Sequence, residues 1–319
     1  MIHVLSPGSP DQRTGGYRYN ARVVDALRGR GHTVRVHALA GSWPFPDADA
    51  IRDGLACIRE LEGTVVADGL LWTSLAAGVE RPVVALVHSP LWREHGSDAR
   101  RPEEAALARA ARIVCTSRRI ASDLDITPPV TVIEPGTDPA PAADRPGTGA
   151  LLCVANVVPR KGHDVLIEAI RRVRVPVTLR CAGAPLDPAF AARVRAASRD
   201  LPVTWLGSLP PDALAEELSR TDLLVQAARY EGFGMAIAEA LVRGVPVVSP
   251  PAGVLDHRRG GHRVVPADEP STLALAIEEL VEDRSRAQRM SREARSLPLP
   301  TWEHQGARWA KLLAPEDGR

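Results

Sequence analysis

The chain has 319 residues, of which 45% are hydrophobic and 25% are charged, and its formal net charge is +1 at pH 7. This composition indicates a globular protein long enough for two domains, and the balanced charge argues against nucleic acid as a partner. No stretch reaches the 18 apolar residues of a spanning helix, and no basic leader precedes the first strand, so we expect a cytoplasmic protein.

Short apolar strands alternate with helical patterns from the first residue onward. Strands are predicted at residues 2–6, 33–38, 64–67, 83–87, 112–116 and 130–134, and the helices between them are expected to start near residues 16, 48, 70, 102 and 117. This alternation predicts a parallel sheet covered by helices on both faces. Residues 139–149, with three prolines and two glycines, interrupt the alternation and predict a linker.

The alternation starts again after the linker. Strands are predicted near residues 150–155, 177–182, 203–206, 222–226, 245–249 and 263–265, and helices near 163–173, 187–199, 211–219, 234–243 and 271–283. A final helical pattern runs from Thr301 to Leu313. We therefore expect a first domain at 1–147, a second domain at 148–300 and a tail helix at 301–319.

The most informative segment runs from Glu231 to Glu239, where a glycine-containing turn opens a predicted helix. Two carboxylates flank this turn, which begins Gly232, Phe233, Gly234, Met235. Backbone N–H groups at a helix start favour anions, so the segment offers a phosphate cradle between two acceptors for hydroxyl groups. The alternative is a solvated loop glutamate followed by a glutamate on a helix surface.

A basic pair, Arg160 and Lys161, follows the strand predicted at 150–155 and precedes a helix. Ligands in such folds bind at the carboxyl ends of parallel strands, and a guanidinium beside an ammonium suits a diphosphate. A solvated loop pair is the alternative. However, only Lys161 and Lys311 among the 40 basic residues are lysines, which favours a functional pair.

Two further features precede the linker. Gly15 and Gly16 follow the first strand and open a helix, so their backbone can approach an anion, although Gly-Gly is also an ordinary turn signal. His88 ends the apolar run 83–87, at the same edge of the predicted sheet. A single histidine is more often structural, but this position favours His88 as a site residue.

These motifs closely resemble those of the retaining family-four glycosyltransferases, whose donor-site element is written Glu-x7-Glu with Gly-Phe-Gly inside it. The resemblance covers nearly the whole chain and implies an α/β architecture, the GT-B fold. In that fold two doubly wound Rossmann-like domains face a central cleft, and a C-terminal helix crosses back to the first domain. It also implies transfer of a sugar from a nucleoside-diphosphate sugar to an acceptor hydroxyl, with retention and without a metal or other cofactor.

The resemblance also implies residue roles. Arg160 and Lys161 would stabilise the departing diphosphate, Glu231 would bind sugar hydroxyls, Glu239 the ribose, and His88 the donor near its anomeric centre. The implied catalytic residues are His88, Arg160, Lys161 and Glu231. The implied donor-binding residues are Gly15, Gly16, Arg160, Lys161, Glu231, Gly232, Phe233, Gly234, Met235 and Glu239.

Some features leave alternatives open. The loop from Pro251 to Asp256 departs from the Gly-Gly and Glu usual in the family, which leaves its role open. Asp47-Ala-Asp49 and Asp123-Leu-Asp125 mimic a metal motif, but we interpret both as helix-start or surface acids and expect no metal site.

The acceptor is expected to be a glycan, a glycoside or a small-molecule alcohol. Because acids and bases are interleaved, we expect no stable membrane binding. An epimerase or hydrolase on the same fold, using Glu94 or Asp256 as an additional acid, is one alternative. A non-catalytic nucleotide-sugar-binding protein is the other.

Overall fold

A computed structural model describes residues 1–8 and 14–314 of the chain. The chain divides into two compact units, one formed by Met1–Gly136 with Pro300–Arg319 and the other by Thr137–Leu299. Each unit contains one six-stranded parallel sheet with helices, which confirms the predicted α/β fold class. Among the described residues, no helix is both long enough and apolar enough to span a membrane.

The sheet of the first unit has the strand order β2-β1-β3-β4-β5-β6. Its strands are β1 Ile2–Pro7, β2 Val34–Leu39, β3 Thr64–Asp68, β4 Val83–Val87, β5 Arg112–Cys115 and β6 Val130–Val132. The helices that follow them are α1 Gly15–Arg28, α2 Ala48–Glu60, α3 Gly69–Leu75, α4 Trp92–His95, α5 Arg100–Leu107 and α6 Arg118–Asp123. The six predicted strands of this half are present, with bounds within two residues of those expected.

The centre of this sheet is hydrophobic on both faces. All five residues of β4 are buried, as expected of a parallel strand covered by helices on either side. Helix α3 packs Leu71, Trp72 and Leu75 into the core, and the Trp72 indole donates a 2.8 Å hydrogen bond to the carbonyl of Ala106 in α5. His88 follows directly after this buried strand, at its carboxyl end.

The sheet of the second unit has the order β12-β11-β10-β7-β8-β9. Its strands are β7 Ala150–Val154, β8 Thr178–Ala182, β9 Val203–Gly207, β10 Leu223–Val225, β11 Val247–Ser249 and β12 His262–Val264. Its helices are α7 His163–Arg172, α8 Pro188–Ala197, α9 Pro211–Ser219, α10 Met235–Val242, α11 Pro270–Glu282 and α12 Arg284–Arg295. Helix α12 was not predicted, because its buried face consists of Ala287, Met290 and Ala294, of which only Met290 is a large apolar residue, and the helix is rich in arginine.

The proline-rich segment predicted as a linker is bound to the second unit. The buried Asp222 carboxylate accepts the N–H groups of Gly147, Thr148 and Ala150 at 2.7–3.0 Å. Arg145 donates to the backbone carbonyl of Asp222. The unit that contains these bonds begins at Thr137, whereas the composition predicts a boundary at residue 147.

The chain re-enters the first unit at Pro300, and the last helix, α13 Trp302–Leu313, packs against α1. The Trp309 indole donates a 2.8 Å hydrogen bond to the buried hydroxyl of Tyr19. That hydroxyl donates in turn to the carbonyl of Ile133 at 2.9 Å. Helix α13 is therefore part of the first unit, although the whole second unit separates it from α1 in the sequence.

Candidate active site

The predicted diphosphate residues lie in a tight turn between β7 and α7. We call Pro159–Gly162 the basic loop; its first three residues form one turn of 3-10 helix, and Gly162 precedes α7 with a φ of 67°. A Cβ atom added to Gly162 would lie 2.0 Å from the backbone oxygen of Ala227, just beyond β10. Glycine is therefore required for both the left-handed backbone and this close approach.

A second loop, Arg229–Gly234, packs along the basic loop, and we call it the Glu231 loop. Lys161 Nζ lies 2.5 Å from a carboxylate oxygen of Glu231. The Arg160 guanidinium donates to the carbonyl of Tyr230 at 3.0 Å, and the backbone N–H of Arg229 donates to the carbonyl of Arg160 at 2.8 Å. The fold therefore brings Arg160, Lys161 and Glu231 together.

The pair Lys161–Glu231 is largely shielded from solvent, since the two side chains are 16% and 21% exposed. Burial raises the pKa of Glu231, but the nearby charges of Lys161 and Arg160 outweigh it and hold the pKa below its ordinary value. Glu231 is consequently ionised at neutral pH. An ionised carboxylate can accept hydrogen bonds from two or more hydroxyl groups of one ligand.

Helix α10 begins directly after the Glu231 loop. Phe233 is 4% exposed and packs in the same core cluster as Ile237 and Leu241 of α10, so its ring anchors the loop. Gly232 and Gly234 are buried, and Met235 is the first residue of the helix. Glu239 is partly exposed on α10, about 6 Å along the helix axis from Met235.

The loop that departs from the family pattern supports this arrangement. The backbone N–H of Val254 donates to the carbonyl of Phe233 at 2.8 Å, so the Pro251–Asp256 segment is hydrogen-bonded to the Glu231 loop. Ala252 and Val254 are fully buried. Replacing the usual first glycine by Ala252 is therefore compatible with a packing role.

In the first unit, His88 follows β4 and belongs to a buried polar cluster. Its Nε2 lies 2.9 Å from Oδ1 of Asn20 and 3.5 Å from Oδ2 of Asp68. The Asn20 amide nitrogen donates to Oδ2 of Asp68 at 3.1 Å. Because this donation directs the Asn20 oxygen toward His88, the network assigns the imidazole proton to Nε2.

Sequence reasoning missed Asn20 and Asp68. Asn20 lies within amphipathic α1, where a single polar residue carries no signal. Asp68 ends the buried strand β3 much as His88 follows β4, and it also caps α3 by accepting the N–H of Leu70 at 3.0 Å. A carboxylate at the carboxyl end of an apolar parallel strand could have drawn attention to Asp68.

Gly15 is the first residue of α1, and Gly16 lies against the imidazole of His88. A Cβ atom added to Gly16 would be 3.1 Å from Cδ2 of that ring, so the glycine lets α1 approach the histidine. Residues 9–13, which precede this turn, lie outside the described residues. The anticipated contact of Gly15 and Gly16 with donor phosphates stays a prediction.

The acids that mimic a metal motif have local partners. Asp47 caps α2 by accepting the N–H of Ala50 at 2.8 Å, and Asp123 pairs with Arg93 at 2.8 Å. Within residues 1–8 and 14–314, no group of three or more His, Cys, Asp or Glu side chains is arranged so that it could hold a metal ion.

Residues 148–283 match the family described as Glycosyl transferases group 1. A relative from Mycolicibacterium smegmatis, named GDP-mannose-dependent alpha-(1-6)-phosphatidylinositol monomannoside mannosyltransferase, is 33% identical over 192 residues. That match covers 54% of this chain and 48% of the relative. The chain thus spans about half the length of the curated relatives it matches.

Solved structures share the fold at low sequence identity. Sucrose-phosphate synthase from Thermosynechococcus elongatus matches with a TM-score of 0.83 at 17% identity, covering 98% of this chain and 97% of that chain. The Anabaena protein HepE in complex with UDP and glucose matches with a TM-score of 0.80 at 18% identity, covering 98% of each chain. Residues 148–283 are therefore similar to the glycosyltransferase group 1 family, and the chain shares the GT-B type of fold with these solved structures.

Proposed function

We propose that the protein transfers a sugar from a nucleoside-diphosphate sugar to an acceptor hydroxyl, with retention of the anomeric configuration and without a metal ion. The observation that supports this most is the direct contact between the basic loop and the Glu231 loop. This contact brings the cations Arg160 and Lys161 and the ionised carboxylate of Glu231 together beside the first turns of α7 and α10. Such a set suits a ligand that carries phosphates next to hydroxyl groups.

The basic loop stabilises the charge of the leaving group. As the bond to the anomeric carbon breaks, negative charge grows on the departing phosphate oxygen. Arg160 and Lys161 are fixed cations that stabilise this charge, and the N–H groups at the start of α10 add to them. Loss of one such preorganised donor typically lowers kcat by about 10²- to 10³-fold.

The two carboxylates bind the hydroxyl groups of the transferred sugar and of the ribose. Glu231 is ionised and accepts the hydroxyl groups of the transferred sugar, while Glu239 accepts those of the ribose. Lys161 contacts Glu231, so a donor bound to both residues has its phosphate next to Lys161 and its sugar next to Glu231. His88, with its proton assigned to Nε2, binds the donor near its anomeric centre.

Retention is supported by the resemblance to family-four glycosyltransferases, and the departing phosphate oxygen then accepts the proton of the acceptor hydroxyl. The names of similar proteins suggest two donor classes, since the Mycolicibacterium relative is called GDP-mannose-dependent and HepE was solved with UDP. The acceptor is a glycan, a glycoside or a small-molecule alcohol.

The test is incubation with a panel of UDP-, GDP- and ADP-sugars, with and without acceptors of these three kinds. Free nucleoside diphosphate and the anomeric configuration of the product are measured. We expect release that depends on the acceptor, a product with the donor's configuration, and release that is about 10²-fold slower or more in Lys161→Met. The variant Lys311→Met, which changes the other lysine of the chain, serves as the matched control.

Other outcomes would contradict the proposal. Release without an acceptor would identify a hydrolase, and isomerised donor without release would identify an epimerase. Binding of nucleotide sugar without turnover would identify a binding protein. A product of opposite anomeric configuration would disprove retention alone.

A further inference from the structure

Arg229 lies at the start of the Glu231 loop and uses all three nitrogens of its guanidinium. Nε lies 2.7 Å from a carboxylate oxygen of Asp268, and the two terminal nitrogens lie 2.9 Å and 3.1 Å from the two oxygens of Asp164. One terminal nitrogen also donates to the carbonyl of Pro159 at 2.5 Å. This side chain therefore connects the basic loop, the first turn of α7 and the segment before α11.

The position of Arg229 in the loop matters because its neighbours hold the basic loop as well. The N–H of Arg229 and the carbonyl of Tyr230 both bond to Arg160, and Glu231 bonds to Lys161. Three consecutive residues thus contact the two cations that would bind the diphosphate. A displacement of Arg229 would pass directly to those contacts.

Arg229 is poorly suited to bind phosphate itself. Its single positive charge faces two carboxylates, Asp164 and Asp268, so the cluster has a net negative charge. Burial raises the pKa of Asp164, but the hydrogen bonds and charge of Arg229 outweigh it and hold the pKa below its ordinary value. The carboxylate therefore stays ionised and keeps the guanidinium occupied.

Asp268 has an unusual backbone conformation that fits this role. Its φ is 58°, and among the described residues it is the only one other than glycine with a positive φ. Such conformations are unfavourable for most side chains and persist where surrounding contacts impose them. The 2.7 Å contact with Arg229 is one contact that holds Asp268 in this conformation.

We propose that Arg229, clamped by Asp164 and Asp268, is a positioning residue that holds the basic loop in the geometry that binds the donor diphosphate. This inference rests on the proposed function, because it assigns the diphosphate to Arg160 and Lys161. It predicts that nucleotide affinity depends on the fork of the guanidinium and not only on its charge.

The variants are Arg229→Lys, which keeps the charge but loses the fork, and Asp268→Asn, which loses the charge but still tolerates a positive φ. The matched controls are Arg171→Lys and Asp200→Asn. Arg171 lies on the last turn of α7 and likewise pairs with an aspartate, at 2.7 Å from Asp200, and with a carbonyl, at 2.6 Å from Ala197. Both arginines are partly exposed, at 34% and 41% of their side chains.

The measurements are calorimetric titration with UDP and GDP, donor and acceptor KM, and thermal unfolding of the full chain. We expect Arg229→Lys to weaken nucleotide binding about tenfold and to raise the donor KM, with the acceptor KM unchanged, since small misplacements of a binding loop are costly. Asp268→Asn should likewise weaken nucleotide binding and raise the donor KM. The control variants should bind nucleotide as the wild type does.

Two results would overturn the positioning role. One is nucleotide binding by Arg229→Lys equal to that of the wild type, while Lys161→Met binds nucleotide more weakly than the wild type. The other is that Arg229→Lys lowers the Tm by more than Arg171→Lys does, by enough to explain the lost binding through unfolding. That result would indicate a structural role only. If the wild type itself neither binds a nucleotide nor turns over any donor, the proposed function fails instead.

Discussion

Replacing Gly162 by alanine tests whether the close approach of the two loops is essential. The backbone at Gly162 is left-handed, with a φ of 67°, and this alone costs an alanine about 1–2 kcal/mol. The added Cβ would lie 2.0 Å from the backbone oxygen of Ala227, whereas ordinary contacts begin at 3.4 Å. The two backbones must therefore separate by about 1.4 Å (3.4 − 2.0), because neither atom belongs to a flexible side chain.

Such a separation would move the basic loop away from the Glu231 loop. A misplacement of about 1 Å in a positioning element can lower catalysis about 10²-fold, so we expect Gly162→Ala to lose at least that much in kcat/KM. The free energy of unfolding should fall by more than the 1–2 kcal/mol or so of the left-handed backbone alone. Thermal unfolding, nucleotide titration and release of nucleoside diphosphate measure these effects.

The matched control is Gly207→Ala, at the end of β9. Gly207 has nearly the same φ, 69°, but a Cβ atom added there would have nothing within 4 Å. This variant should therefore show the conformational cost without the clash, and it should retain turnover. Equal losses of stability in the two variants, with turnover intact in both, would refute the importance of the contact with Ala227.

Four further outcomes are expected. Lys161→Met should lower kcat by about 10²-fold or more, whereas Lys311→Met should not, as measured by release of nucleoside diphosphate. Glu239→Ala should weaken nucleoside-diphosphate binding in calorimetry, because ribose hydroxyls lose their acceptor; unchanged affinity would contradict that role. Treatment with EDTA should leave turnover intact, and a loss restored by Mg²⁺ or Mn²⁺ would disprove the metal-independent mechanism. Burial raises the pKa of Glu103 from 4.5 to about 7, although the N–H groups of residues 91 and 92 lower it. A pKa raised by folding favours the protonated form, so the wild-type Tm should fall as pH rises from 4.5 through 7, and Glu103→Gln should remove that fall.

The sequence by itself determined the strands, most of the helices and the local chemistry of the loops. Apolar runs such as Val83–Val87 predict buried parallel strands because a covered strand must be hydrophobic on both faces. The glycines and prolines at 139–149 influence the backbone of only a few neighbouring residues, and so does the cap residue Asp47 before α2. Such local effects can be predicted without a structure. The positions of the basic pair and of the Glu231 turn relative to strands and helices were accessible for the same reason.

Only the tertiary structure decided which side chains meet. Lys161 and Glu231 lie 70 residues apart in the chain, and His88 and Asn20 lie 68 apart. Arg229 reaches Asp164 across 65 residues and Asp268 across 39 (268 − 229), and none of these residues has a periodic or compositional signal of its own. Their contacts arise because strands distant in the sequence are adjacent in a parallel sheet or separated by one strand, so that the segments after their carboxyl ends lie close together.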